Sequence, residues 1–97
     1  MRLVFLPKAA HDLVRLREFV ESKNPEAAAR IAQRLYAAAE QLLRKPDLGR
    51  PIEGTAFRKL VIRMRRTAYV MRYRVSPERD AVFIVRIWHG RERQPQK

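Results

Sequence analysis

Ala81-Val82-Phe83-Ile84-Val85-Arg86-Ile87-Trp88-His89-Gly90-Arg91-Glu92-Arg93 is the stretch on which the fold turns. Its first five residues are apolar, and Ile87 and Trp88 extend the run past Arg86. A strand with one wet face alternates apolar and polar residues, whereas a near-continuous run of β-branched and aromatic side chains describes a strand covered on both faces. In a chain of 97 residues such a strand lies inside its sheet, so others must pair with it. At His89-Gly90 the run breaks into a basic tail. The strand end thus brings Trp88, His89, Arg91 and Arg93 to one edge of the sheet. They form there either a working surface or the solvated end of a core strand.

Upstream the period is two. Ser76-Pro77-Glu78-Arg79-Asp80 reads as a turn. Before it, Tyr69, Met71, Tyr73 and Val75 share one face of a strand, with Arg72 and Arg74 on the other. Arg66-Thr67 reads as a tight turn. In the strand from Phe57 to Arg65, Leu60, Ile62 and Met64 face one way, and Lys59, Arg63 and Arg65 face the other with Val61 among them. Short turns make these three strands an antiparallel meander. Which basic residues share a face depends on register, because a slip of one residue reverses the assignment.

The first half is helical. Leu3 to Leu6 is a short strand stopped by Pro7. Ala9, Leu13, Leu16 and Val20 then form one helical stripe, with Asp12, Arg15 and Glu18 on the wet side and His11 solvated near the start. Asn24-Pro25-Glu26 starts a second helix: Asn24 caps, Pro25 suits the first turn, and Glu26 complements the dipole. Ala28, Ile31, Leu35, Ala38 and Leu42 carry its apolar stripe to a stop at Pro46, and Tyr36 lies off that stripe, for packing or for a partner. The expected class is α+β in the order β-α-α-β-β-β. A helical hairpin packs on a small twisted, mainly antiparallel sheet, and residues 1–97 form one domain.

Charge narrows the function. The chain has 22 Lys+Arg against 10 Asp+Glu, a net charge of +12, and arginine outnumbers lysine 17 to 5. Most of the excess falls after residue 49. Such a field attracts polyanions or acidic protein segments, and arginine favours bidentate phosphate and carboxylate recognition. Without cysteine, and with only His11 and His89, thiolate chemistry and a histidine-rich metal site are excluded; no metal or cofactor is implied. No apolar run approaches the ~20 residues of a membrane span, and the N-terminus has too short an apolar stretch for a signal peptide, so the cytoplasm is expected.

Five stretches carry a resemblance. They are Asn24-Pro25-Glu26-Ala27-Ala28, Pro46-Asp47-Leu48-Gly49-Arg50-Pro51, Phe57-Arg58-Lys59-Leu60-Val61, Tyr69 to Val75, and Val85-Arg86-Ile87-Trp88-His89-Gly90-Arg91. In this order and spacing the chain resembles the ParE branch of the RelE/ParE toxins of bacterial toxin–antitoxin systems. The resemblance implies an acidic antitoxin partner whose flexible segment wraps the toxin in a hetero-oligomer. It also implies DNA gyrase as the target, poisoned by binding without chemistry. Expected target contacts are Trp88, His89, Arg91, Arg93, Lys59, Arg63 and Arg65. Expected antitoxin contacts are Leu13, Leu16, Tyr36, Arg72, Arg74 and Arg86.

The competing branch, similar to RelE and YoeB, cleaves mRNA on the ribosome. It needs positioned basic groups and an acid or base to activate a 2′-OH and stabilise the phosphorane. Arg63, Arg91 and His89 match such positions, and Glu53 stands roughly where a carboxylate is placed. Val70 replaces an arginine of these nucleases, and their C-terminal tyrosine is missing. A third reading is a degenerate member that binds only its antitoxin, or another nucleic-acid module. Against the latter, no aromatic residues interleave the basic ones and no helix presents a basic base-reading face.

Overall fold

A computed structural model describes residues 1–95. The element order is β1 (Arg2–Phe5), α1 (Pro7–Glu21), α2 (Pro25–Arg44), β2 (Arg50–Pro51), β3 (Arg58–Met64), β4 (Thr67–Ser76), a 3-10 turn (Pro77–Arg79) and β5 (Ala81–His89). The α+β class and the helical hairpin are as read from the sequence, with β2 as an addition. The sheet order is β1-β5-β4-β3-β2. β5 is interior, flanked by β4 antiparallel and by β1 parallel. The parallel pair is possible because the chain between them, both helices and the strands β2 to β4, makes a long connection.

Both helices lie on one face of the sheet, and the core is built there. Ala38, Ala39, Leu35 and Leu42 of α2 and Ala9 and Leu16 of α1 meet Met71, Tyr73, Val82, Ile84 and Ile87. Small alanines let α2 approach closely. The Asn24 side chain accepts the Ala27 N–H at 3.1 Å, which caps α2. α1 starts on Pro7 after Leu6, with no side-chain cap, and the Leu6 N–H instead donates to the Ile84 carbonyl.

Register assigns the other face. Lys59, Arg72 and Arg86 are cross-strand neighbours in one row; Val61, Val70 and Trp88 form the next, and Arg63 stands opposite Ala68. A bulge at Val85, between the pairs Tyr73–Ile84 and Arg72–Arg86, shifts the parity of β5 so that Ile84 and Ile87 both face the helices.

Three expectations are corrected. The β3–β4 turn is Arg65-Arg66, not Arg66-Thr67, because Met64 pairs with Thr67. Arg65 therefore leaves the strand face that Lys59 and Arg63 occupy, and sits at the tip with φ 28°. Asp12, placed on the wet side of α1, is buried at 3% exposure. Its helical position faces the edge of β5 beyond the end of β1, where it finds a buried donor and a cation.

Candidate functional site

Asp12 explains how the end of β5 is held. β1 pairs with β5 only as far as Ile84, so the edge beyond lacks a strand partner there. The Asp12 carboxylate takes that place. One oxygen accepts the Ile87 N–H at 2.9 Å and the Arg86 Nε at 2.8 Å; the other accepts the Arg86 Nη2 at 3.1 Å. Burial alone would raise the Asp12 pKa, but the hydrogen bonds from Arg86 and Ile87 more than offset it, and the carboxyl is held below its usual range. Asp12 in turn raises the Arg86 pKa by hydrogen bonding. The clamp ties α1 to the strand that carries Trp88, His89 and the tail.

On the open face, Arg72 is 5% exposed, lies with its guanidinium 5.2 Å from the Trp88 ring, and donates to the Pro95 carbonyl at 2.6 Å. Burial and the neighbouring Arg86 charge lower the Arg72 pKa. The tail thus folds back onto this arginine. Trp88, expected among the target contacts, is 4% exposed and packs under that cover. Leu16 and Arg72, expected to touch an antitoxin, are likewise internal, and Arg86 is engaged by Asp12. Arg74 is exposed and lies 4.0 Å from Glu78.

Beyond the last row the β3–β4 hairpin and the start of the tail enclose a basic cleft. Arg63, Arg65, Arg66 and Arg91 line it, over a floor that includes Thr67, Ala68, His89 and Gly90. The Gly90 N–H donates to the Ala68 carbonyl at 2.8 Å, and a Cβ at residue 90 would stand 3.1 Å from that oxygen, so the tail lies close against β4. Both ring nitrogens of His89 are engaged. Its Nδ1 accepts the Arg91 N–H at 3.1 Å, which leaves Nε2–H to donate to the Thr67 hydroxyl, and the ring meets Tyr69 edge-on at 5.1 Å. Glu92 is also occupied. It accepts the His89 N–H at 2.7 Å and pairs with Arg15.

The remaining expected residues lie apart from this cleft. Glu53 is exposed in the β2–β3 connection, at the opposite end of β3 from Arg63 and His89. The length of β3 alone, about 20 Å at ~3.3 Å per residue, separates them. Arg93 is exposed on the tail, and Lys59 is half-buried in the row with Arg72. Leu13 and Tyr36 line a second, mainly apolar groove between α1 and α2, with Val14, Arg17, Ala32 and Gln33. Tyr36 is half-exposed and stacks on Phe5 at 5.8 Å.

Two participants escaped the sequence reading. Asp12 looked solvated because its helical position follows the wet stripe, and its partner Arg86 is 74 residues away. Arg66 passed as turn filler, although two arginines are poor choices for a two-residue hairpin turn that favours Gly or Asn. Among the described residues, no group of His, Cys, Asp and Glu is arranged to hold a metal. No described helix is long and apolar enough to cross a membrane.

Known proteins are similar to this chain in sequence and in fold. The family model "ParE toxin of type II toxin-antitoxin system, parDE" matches residues 3–94. Toxin RelE3 of Caulobacter vibrioides is 40% identical over 88 residues, covering 91% of this chain and 92% of its own; Toxin RelE1 of the same bacterium is 37% identical over 87 residues, covering 90% of each. Among solved structures, the chromosomal ParDE toxin–antitoxin system from P. aeruginosa matches with a TM-score of 0.73 and 25% identity, over 92% of this chain and 95% of that one. The E. coli RelBE toxin–antitoxin complex matches in fold with a TM-score of 0.67 and 16% identity, over 93% and 96%. With the fold, the strand order and nearly the full length in agreement, the chain belongs to the ParE toxin family of type II toxin–antitoxin systems.

Proposed function

We propose that this toxin acts by binding DNA gyrase and holding its cleaved-DNA intermediate, and that it does not cleave mRNA. The observation that carries the reading is the state of His89. A general base needs a free nitrogen within hydrogen-bond reach of the proton it takes. Both nitrogens of His89 are spent on Thr67 and on the Arg91 backbone. Glu53, the other candidate, is exposed in the β2–β3 connection at the opposite end of β3, and the C-terminal tyrosine of the nucleases is missing. What is left at this end of the molecule is charge without an acid–base partner, which suits a binder. The gyrase target comes from the family resemblance.

The antitoxin partner is read from a different surface. The apolar groove lined by Leu13, Val14 and Tyr36 suits an amphipathic segment laid along the helical hairpin. Exposed Arg17 at its rim and the net charge of +12 favour an acidic one.

Expressing the chain in a bacterium, with mRNA 5′ ends and gyrase-bound DNA breaks mapped in one culture, tests the target. Breaks at gyrase sites with unchanged mRNA ends are expected. New mRNA ends phased with codons, and no breaks, would overturn the reading and return His89, Arg63 and Arg91 to catalytic candidacy.

A further inference from the structure

The β3–β4 hairpin breaks a local rule. A two-residue turn that needs positive φ is ordinarily built from Gly, Asn or Asp, yet this one is Arg65-Arg66, with Arg65 at φ 28°. A bulky side chain in that region is strained, and such strain clusters at functional positions. The two side chains are exposed at the tip, beside Arg63 and Arg91 in one cleft, and Arg30 of α2 approaches Arg65 and Arg66 from the helix side. Among the described residues, none of these five arginines makes an ion pair; the acidic groups that pair with arginine serve Arg15, Arg17, Arg74 and Arg86 instead. So many guanidinium groups gathered without a carboxylate repel one another, and an external anion relieves that repulsion.

We propose that the hairpin tip and the start of the tail form a phosphate clamp for duplex DNA, in which Arg63, Arg65, Arg66 and Arg91 grip the sugar–phosphate backbone without reading sequence. Guanidinium forks suit phosphate oxygens, and the cleft is lined by arginine with no lysine. Ala68 and Gly90 keep its floor low. Single-stranded RNA is the poorer fit, because the cleft holds no Phe, Tyr or Trp on which a base could stack, and its His89 ring is half-buried and held by Thr67 and Tyr69. An acidic protein segment is also poorer, since an amphipathic segment needs apolar lining, and that lies in the groove between the helices. The clamp deepens the proposed function, resting on it only in taking the duplex held by gyrase as the polyanion.

Fluorescence anisotropy of a labelled 20-base-pair duplex with the purified chain tests this without gyrase. Four phosphate contacts at a slope of ~0.9 each predict that affinity falls about 150-fold between 50 and 200 mM salt. In the variant Arg65→Gly/Arg66→Gln two contacts remain, and the fall shrinks to about 12-fold. Arg34→Ala/Arg44→Ala removes the same charge from exposed positions on α2 and keeps the wild-type slope. Arg65→Gly relieves the positive φ, so this variant melts no lower than wild type, and lost binding is not lost folding. Equal slopes for the two double variants would overturn the clamp, as would a polyglutamate competitor that displaces DNA at equal charge, or tighter binding to single-stranded RNA of the same length. Gyrase poisoning is scored separately. A wild-type chain that poisons gyrase while both variants bind DNA alike refutes the clamp and leaves the target reading intact. A chain that binds DNA through the tip but ignores gyrase does the reverse.

Discussion

Replacing Asp12 by alanine should unfasten the end of β5, and its cost follows from the contacts. The carboxylate is 3% exposed and accepts three hydrogen bonds of 2.8 to 3.1 Å, two from Arg86 and one from the Ile87 amide. Removing one member of a buried ion pair is destabilising by about 3–5 kcal/mol. The Ile87 N–H loses its acceptor as well, a penalty of about 1–3 kcal/mol taken alone. The terms overlap, so a total of about 3–5 kcal/mol is expected. For a domain of this size each kcal/mol lowers Tm by about 4–8 °C, so thermal unfolding followed by circular dichroism should drop by more than about 12 °C. Asp12→Asn keeps an acceptor for Ile87 and should lose roughly half as much.

Acid gives the same test without mutation. The folded pKa of Asp12 is lowered below its unfolded value, so its stabilisation is fully present above about pH 4 and is lost as pH falls from there through the folded value. The wild type should lose more stability than Asp12→Asn over that interval. A Tm loss under about 4 °C for Asp12→Ala, or equal acid sensitivity of wild type and Asp12→Asn, would refute the clamp.

Further outcomes follow from other contacts. The Tyr73 hydroxyl accepts the Gly49 N–H at 2.8 Å and donates to the Pro46 carbonyl at 2.7 Å, so Tyr73→Phe should cost about 1–3 kcal/mol in urea unfolding. Gly49→Ala should cost more, because its Cβ would stand 2.6 Å from Tyr73 Cε1, and pairing it with Tyr73→Phe should not restore stability. His89→Ala should lower Tm by removing the Thr67 and Arg91 contacts, yet leave gyrase inhibition within about threefold of wild type once folded protein is matched; a loss of activity beyond about 100-fold, the scale of a missing acid or base, would argue for chemistry. Tyr36→Ala should weaken antitoxin binding tenfold or more in calorimetry, as an exposed aromatic anchor does. The wild-type complex should weaken moderately from 50 to 500 mM salt, and a salt-independent Kd would remove the electrostatic part of that interface.

Much of the fold was legible because the signals were local. The apolar run of β5 marked an interior strand, the period-two pattern gave β3 and β4, and Asn24-Pro25-Glu26 placed the start of α2. What escaped depends on contacts distant in sequence. β2 is two residues long, one of them proline, and carries no periodicity. The bulge at Val85 appears only once β4 fixes the register. Arg72 reads as a surface residue until Trp88 and Pro95 are seen around it. The basic cleft was half legible: Arg63 and Arg91 were singled out by resemblance, whereas Arg66 required the turn to move by one residue.

Whether this chain poisons gyrase by binding is tested most directly by a DNA cleavage assay with purified gyrase, ATP, supercoiled plasmid and the free toxin. Linear DNA that accumulates with toxin concentration, stays linked to gyrase until protease is added, and is prevented by an acidic antitoxin is the predicted result. Full supercoiling activity at saturating toxin, with codon-phased cuts in mRNA from a parallel translation reaction, would contradict it.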